Sequence, residues 1–345
     1  MRATIVPLAD LSAARVEQWR RLAADALEPN PFSEPELVLP AARYLGCPPA
    51  GLLVVDADGE LVLCAPVMTQ PRWRRMVPVP VLASWHHDYC SLETPLVGRR
   101  EPVGAWQAVL EHGASARGGA TLLMIDELGA GGTVERAMNE AASAGGTAVG
   151  TYRSSDRALM ERGAGGDRLQ IGVNHRKALR RHQRRLAGDL GGPLRVVDTG
   201  GDTEAIEAFL ALEAAGWKGA AGTAMATRPG HADFFREMCR GFAATGRLHM
   251  LALAGDRGVA AMQCNVRSGD TIFCLKVAYD EAHARSSPGL QLELAAASWF
   301  IDDTAAARMD SCAEPHNEML NRLWPRRRAV KGIVLGSGST GRALA

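Results

Sequence analysis

Lysine is nearly missing from this chain. Only Lys177, Lys218, Lys276 and Lys331 stand among 39 basic residues, and the arginine bias, with 37 glycines and abundant alanine, reads as a GC-rich coding sequence rather than a binding function. An excess of charge of either sign is missing too: 39 Lys and Arg face 38 Asp and Glu. The molecule as a whole is therefore not a polycation built to coat nucleic acid. No run of 18 apolar residues occurs, so no membrane-crossing helix is expected. No apolar stretch follows Arg2, so no secretory leader is expected, and the location expected is cytoplasmic. The seven cysteines (Cys47, Cys64, Cys90, Cys239, Cys264, Cys274, Cys312) are odd in number and widely spaced, without C-x-x-C or zinc-type spacing. They read as reduced thiols, and no metal is expected.

What is present is ordinary globular composition, 47% apolar and 22% charged. At about 100–200 residues per domain, 345 residues predict two domains. The patterning predicts, in the first half, a strand at Ala3–Leu8, a helix capped by Ser12, and a helix at Ser33–Leu45. A hairpin turned at Asp58-Gly59 follows, then a Pro-rich stretch from Pro71 to Pro80, a strand ending at Val97 after Ser84–Cys90, a helix from Pro102, a strand at Leu122–Asp126, a helix at Thr133–Ala144 and a strand at Ala148–Tyr152. A glycine-rich join at Gly163–Gly166 precedes an inserted basic helix, residues 174–187. The order then repeats: strand Leu194–Val197, helices from Asp202 and from Pro229, a three-stranded meander ending at Val277, helix Gly289–Ile301, strand Ala307–Cys312, helix His316–Leu323 and strand Val330–Leu335. Both halves read β-α-α-β-β-β-α-β-α-β, which specifies a hairpin meander followed by a β-α-β crossover.

Several short motifs accompany that order: Trp217-Lys218-Gly219 after a helix carrying Glu213, Tyr279-Asp280, Ser287-Pro288-Gly289-Leu290, Met309-Asp310-Ser311-Cys312-Ala313-Glu314, Leu323-Trp324-Pro325, and His87-Asp88-Tyr89 in the first half. With them the chain resembles the CelD-like acetyltransferases of cellulose and polysaccharide biosynthesis, members of the GNAT superfamily with tandem GNAT domains related to the Fem-type ligases. The resemblance implies an α/β (α+β) fold of two tandem GNAT-like domains, each a mixed, mostly antiparallel sheet flanked by helices. It puts a helper domain on the acceptor side at 1–165 and the acyltransferase domain at 166–345.

The resemblance also implies acyl transfer from acetyl-CoA or another acyl-CoA to an amine, with an amino sugar among the acceptors. Two alternatives stand beside it: Fem-like transfer from aminoacyl-tRNA, and a non-catalytic binding module of the same fold. The Ser286-Ser287-Pro288-Gly289-Leu290-Gln291 turn opens a helix, where free N–H groups and the positive dipole end suit phosphate. The resemblance assigns the coenzyme pyrophosphate to this turn, although Pro288 stands where the family signature has its first glycine. Amide formation from a thioester needs a base for the amine and an acid for the thiolate. Asp310, Cys312, Glu314 and His316, at a strand end and the loop after it, are the candidates.

Trp217, Lys218 and Lys276 suit acceptor binding, a ring to stack and cations to hold an anionic group. So do His86, His87, Asp88 and Tyr89, four polar side chains in a row between apolar segments. The basic helix sets Arg176, Arg180 and Arg184 in one i,i+4 row and Lys177, Arg181 and Arg185 in the next, opposite Leu179 and Leu186. An anionic partner is expected there: tRNA, a membrane surface or a glycan.

Overall fold

The computed structural model describes residues 1–49, 51–71, 77–114, 122–163, 169, 173–336 and 343. Residues 164–166 of the glycine-rich join, 72–76 of the Pro-rich stretch and the side chains of Asn174 and His175 lie outside the described set. The chain divides into two compact units. Unit 1 comprises Met1–Ala42, Cys47–Asp156 and Arg328–Ala345; unit 2 comprises Arg43–Gly46 and Arg157–Arg327.

In chain order the first elements are β1 (Arg2–Val6), α1 (Ala13–Ala24), α2 (Pro35–Tyr44), β2 (Gly51–Ala57), β3 (Glu60–Gln70), β4 (Val81–Ser84), β5 (Leu96–Val97), α3 (Pro102–Ala114), β6 (Leu122–Gly129), α4 (Thr133–Ala144) and β7 (Ala148–Glu161). Next come α5 (Val173–Asp189), β8 (Arg195–Asp198), α6 (Thr203–Ala215), α7 (Trp217–Ala220), α8 (His231–Ala243), β9 (Leu248–Gly255), β10 (Gly258–Ser268) and β11 (Thr271–Tyr279). The last are α9 (Pro288–Asp303), β12 (Arg308–Asp310), α10 (Glu318–Leu323) and β13 (Arg326–Gly336). The expected doubled order is therefore present, and the local signals act as read. Ser12 Oγ accepts from Arg15 N at 3.2 Å, and Asp202 Oδ1 from Glu204 N at 2.8 Å, each satisfying a donor at a helix start. Asp58 and Gly59 both take positive φ (53° and 82°), which matches a two-residue turn to strand twist.

In unit 1 the antiparallel run β1-β2-β3-β4 meets β6 in parallel (Val81↔Leu122), and β13 then pairs β6 antiparallel (Leu335↔Leu123). Helices α3 and α4 cover the sheet through Trp106, Val109, Met138 and Ala141, and Ile333 and Leu335 of β13 complete that core. In unit 2 the meander β9-β10-β11 carries β8 on one edge. On the other it pairs β12 in parallel, and the last residues of β7 pair β12 antiparallel (Met160↔Met309). Helix α9 buries Leu292, Ala296 and Phe300 against this sheet beside Ala158 and Met160. In each unit the strand pairing is mixed and mostly antiparallel, as expected.

Apart from Arg43–Gly46, which belong to unit 2, the chain changes unit between Asp156 and Arg157 and again between Arg327 and Arg328, rather than at residue 165. The cause is β7, expected to stop at Tyr152 but running to Glu161, so that its end supplies core residues to unit 2. In turn β13, placed by the sequence reading in the second domain, is a strand of unit 1.

Candidate functional site

The site of interest in unit 2 is made by two parallel strands that part. β11 and β12 pair only from Thr271↔Arg308 to Phe273↔Asp310. Among the described residues no strand pairs that side of β11 as it runs on to Tyr279; there Val277 O accepts from Lys218 Nζ at 3.3 Å. A bulge sharpens the divergence: Cys264 faces Lys276 while Asn265 faces Cys274, so Leu275 is an extra residue. The bulge also shifts the alternation of side chains by one. Val277 and Tyr279 pack with the α9 core, whereas Lys276 turns to Glu213 of α6.

At the mouth of this divergence α9 begins. Ser287 takes the left-handed conformation (φ 51°, ψ 57°), and Gln291 Nε2 donates to Ser286 O at 2.6 Å, fixing the turn. Gln291 N closes the first turn on Ser287 O, while the N–H groups of Gly289 and Leu290 have no carbonyl partner among the described bonds. A cleft of about 340 Å³ opens here, bounded by Val277, Tyr279, Ser287, Gly289, Leu290 and Met319. Gly289 leaves it open: a Cβ there would meet only Tyr279 Cδ1, at 3.5 Å. Of the residues expected to bind a donor, Ser287, Gly289 and Leu290 line the cleft. Ser286 and Gln291 lie behind it: Gln291 holds the turn, and the buried Ser286 Oγ has no partner.

The one carboxyl in the lining was missed by sequence reasoning. Glu293 is 5% exposed and lies on the cleft wall. Its Oε1 accepts from Gln263 Nε2 at 3.0 Å, and Gln263 Oε1 accepts from Asn265 Nδ2 at 3.4 Å. Its Oε2 is buried without a partner. Burial pushes the Glu293 carboxyl up to about 7, the Gln263 bond opposing. The signal was legible: Glu293 shares a helical stripe with Ala296, Ala297 and Phe300, where an apolar residue belongs.

The acidic strand end is built differently from expectation. Asp310 is fully buried, and Arg157 Nε and Nη2 donate to its two oxygens at 2.7 and 2.8 Å. Cys312 N also donates to Oδ1 at 3.0 Å. A carboxylate so held is a structural anchor, and the structure does not leave Asp310 free to serve as a base. Cys312 is half-buried with φ 50°. Glu314 and His316 are exposed in the loop before α10, which Asn317 caps by accepting from Leu320 N.

On the opposite face of β11, Glu213 is sealed from solvent. Lys276 Nζ lies 2.9 Å from its Oε1, Lys218 Nζ lies 3.5 Å from the same oxygen, and Met225 N donates to Oε2 at 2.8 Å. Burial alone would raise the Glu213 carboxyl, but Lys276, Met225 N–H and Lys218 outweigh it and hold it below the usual range. Burial and the neighbouring Lys276 push Lys218 down. Two lysines on one carboxylate leave one positive charge in excess, beside a Trp217 ring that is 55% exposed. The structure thus unites Trp217, Lys218 and Lys276.

In unit 1, β4 and β6 part after Ala83↔Met124 in the same way. His86 Nδ1 lies 2.8 Å from Oε1 of the buried Glu93, whose Oε2 accepts from Ser84 Oγ and from Asp126 N. The Glu93 bond raises the His86 imidazole above its usual range. Burial depresses His87 to about 3; its ring lies 4.7 Å from that of Trp85 and its Nδ1 accepts from Tyr89 N. Asp88 and Tyr89 complete the turn, whose Cys90 N donates to His87 O. Of the two imidazoles, His86 is the exposed one. Helix α5 exposes Lys177, Arg180, Arg181, Arg184 and Arg185, for none of which an ion pair is described, and it is anchored by the buried Leu186 and Leu190. Among the described residues no group of three or more His, Cys, Asp or Glu is placed to hold a metal, and no helix is long and apolar enough to cross a membrane.

Comparison with known proteins locates this site within a domain family. Residues 173–317 match the family model described as an acetyltransferase (GNAT) domain. No curated protein sequence matches the chain. Among solved structures the chain is similar to FemX (9% identity, TM-score 0.58, covering 97% of both chains). It is also similar to L-PGS from Bacillus licheniformis (12% identity, TM-score 0.58, covering 95% of this chain and 93% of that one). A third similar structure is a conserved protein from Bacteroides thetaiotaomicron (10% identity, TM-score 0.55, 95% and 98%). At these identities the likeness is one of fold.

Proposed function

We propose that the chain is an N-acyltransferase: unit 2 binds an acyl-CoA, most simply acetyl-CoA, and passes the acyl group to an amine. The observation that carries this reading is the parting of β11 from β12 beside the open N-terminus of α9. There Ser287, Gly289 and Leu290 offer backbone to a phosphate, and the unpaired edge of β11 offers hydrogen bonds to an extended donor arm. The bound thioester supplies the activated acyl group. The chain's own residues must place the amine, take its proton and stabilise the developing oxyanion with backbone N–H donors. With Asp310 committed to Arg157, the proton acceptors left are Glu314 and His316, exposed beyond β12. Trp217 and the Lys218–Lys276 pair form the acceptor-binding patch, suited to a ring bearing an anionic group. An amino sugar of a polysaccharide precursor is the acceptor that the CelD-like resemblance implies.

Thermal unfolding with acetyl-CoA tests the reading. At a hundredfold excess over Kd, binding stabilises the fold by about 2.7 kcal/mol, and Gly289→Glu, whose backbone accepts a side chain but whose carboxylate fills the cleft, abolishes that shift. Absence of a shift with any acyl-CoA would remove the reading. The exposed cationic face of α5 and the likeness to FemX favour a second reading, transfer from aminoacyl-tRNA. Salt-dependent tRNA binding lost on reversing Arg180 and Arg184 would support it.

A further inference from the structure

The α9 cleft contains a group that an anion site should not tolerate. Its walls hold no lysine or arginine. Their one carboxyl, that of Glu293, stands in the second turn of the helix whose start would receive the donor's phosphates. An ionised Glu293 there would repel a phosphate across a low-dielectric wall. The two are compatible if the carboxyl is neutral, and the surrounding bonds specify how. Asn265 Nδ2 donates to Gln263 Oε1, which turns the Gln263 amide so that its Nε2 donates to Glu293 Oε1. Oε1 is thereby an acceptor, and a proton on the carboxyl belongs on Oε2, the atom that has no partner among the described residues. In that form Oε2 carries an O–H donor that is buried in the cleft wall with no acceptor among the described residues.

We propose that Glu293 is a donor-binding residue working as a neutral carboxylic acid, its Oε2–H donating to an oxygen of the phosphate-bearing ligand in the α9 cleft, so that ligand and proton bind together. The inference rests on the reading of this cleft as the acyl-CoA site. No charged side chain among the described residues competes for the role. Facing Glu293 are Gln263 and Asn265 from β10, the buried thiol Cys274 and Tyr279 from β11, Ser287 from the turn and Met319 from α10. Burial raises both the Cys274 thiol and the Glu293 carboxyl, the latter to about 7. Near neutral pH, Glu293 in the free protein is thus divided between its two forms.

The test is calorimetry of coenzyme A binding to the full chain, near pH 8 and near pH 6, each in two buffers of different ionisation enthalpy. Near pH 8 wild type takes up close to one proton per ligand bound and near pH 6 close to none, and Kd weakens about tenfold per pH unit above about 7. Glu293→Gln, which keeps an acceptor for Gln263 and offers N–H in place of O–H, takes up no proton near pH 8 and binds with a Kd independent of pH above about 7, where the coenzyme's phosphates are fully ionised. Binding without proton uptake near pH 8, measured on wild type alone, overturns the proposal while leaving the donor reading intact. So does uptake that survives Glu293→Gln. Proton release, with affinity rising with pH, overturns it in favour of a carboxylate meeting a cation. No binding of coenzyme A at any pH removes the donor reading and this proposal with it.

Discussion

At the scale of single residues, the described geometry separates groups that hold the fold from groups left for chemistry. The Asp310–Arg157 pair is bidentate, with side chains 0% and 6% exposed. Removing one partner of a buried pair strands the other charge, at a cost of about 3–5 kcal/mol. Asp310→Asn should therefore lower the unfolding free energy by that amount, whereas a base would be lost with the fold intact; far-UV circular dichroism and urea unfolding separate the two. The histidine pair gives opposite pH dependences. His87, depressed to about 3, stays neutral in the fold, while the unfolded residue takes a proton below about 6.5. Stability is therefore lost at about 1.4 kcal/mol per pH unit from pH ~6.5 downward. His86 is raised by Glu93, so what it contributes is full below its unfolded value and fades as pH climbs through its raised folded value. The stability difference between wild type and His87→Gln should shift by about 2 kcal/mol between pH ~6 and ~4.5, read from urea unfolding at each pH; a constant difference would show that His87 is not buried neutral. Glu293 was visible in the sequence as a charge on an apolar stripe. The role of Asp310 was not, because Arg157 lies 153 residues away on a strand whose polar alternation, Thr151 to Asp156, hid its length.

At the scale of elements, caps and turns were legible because they are local, and the bulge was not. Leu275 reads as an ordinary apolar strand residue. What makes it a bulge is its partner strand, and with it go the facing of Lys276 and the parting of β11 from β12. The α9 turn was legible as a Ser-Pro-Gly start, yet the left-handed Ser287 was not, since serine rarely adopts positive φ. Ser287→Gly should hold or slightly raise stability and Ser287→Val should lose about 1–3 kcal/mol, measured by thermal unfolding; equal effects would mean that this turn relaxes on substitution. In α5, Arg180 stands four and three residues after Arg176 and Lys177, and Arg184 three after Arg181, so a carboxylate at either position would face cations. Exchanging both for glutamate should raise the melting temperature slightly while removing salt-sensitive retention on heparin. Unchanged retention would place the anion-binding surface elsewhere.

At the scale of the whole molecule, the element order was legible twice over, while the assignment of strands to units was not. Order is a property of the chain, but pairing is decided by whichever edge is open when a strand arrives. The edge of β6 takes β13, from the far end of the chain, and β12 takes the end of β7. A polypeptide of residues 1–165, one whole domain by the sequence reading, therefore lacks a strand of its own core. It loses the burial of Ile333, Val334 and Leu335, each worth about 1.5–3 kcal/mol, and leaves β6 without one ladder of hydrogen bonds. Set against a domain stability of about 5–15 kcal/mol, that loss removes most of the margin. Residues 1–165 alone should show a broad, weakly cooperative urea transition and fast amide exchange in β6. The same polypeptide with Arg328–Gly336 joined through a flexible glycine-serine linker should regain a sharp transition and exchange protection at Leu123–Ile125, since the added segment refills the slot beside β6. If 1–165 alone unfolds as sharply and at the same midpoint, β13 is an accessory to unit 1 and not part of its folding unit.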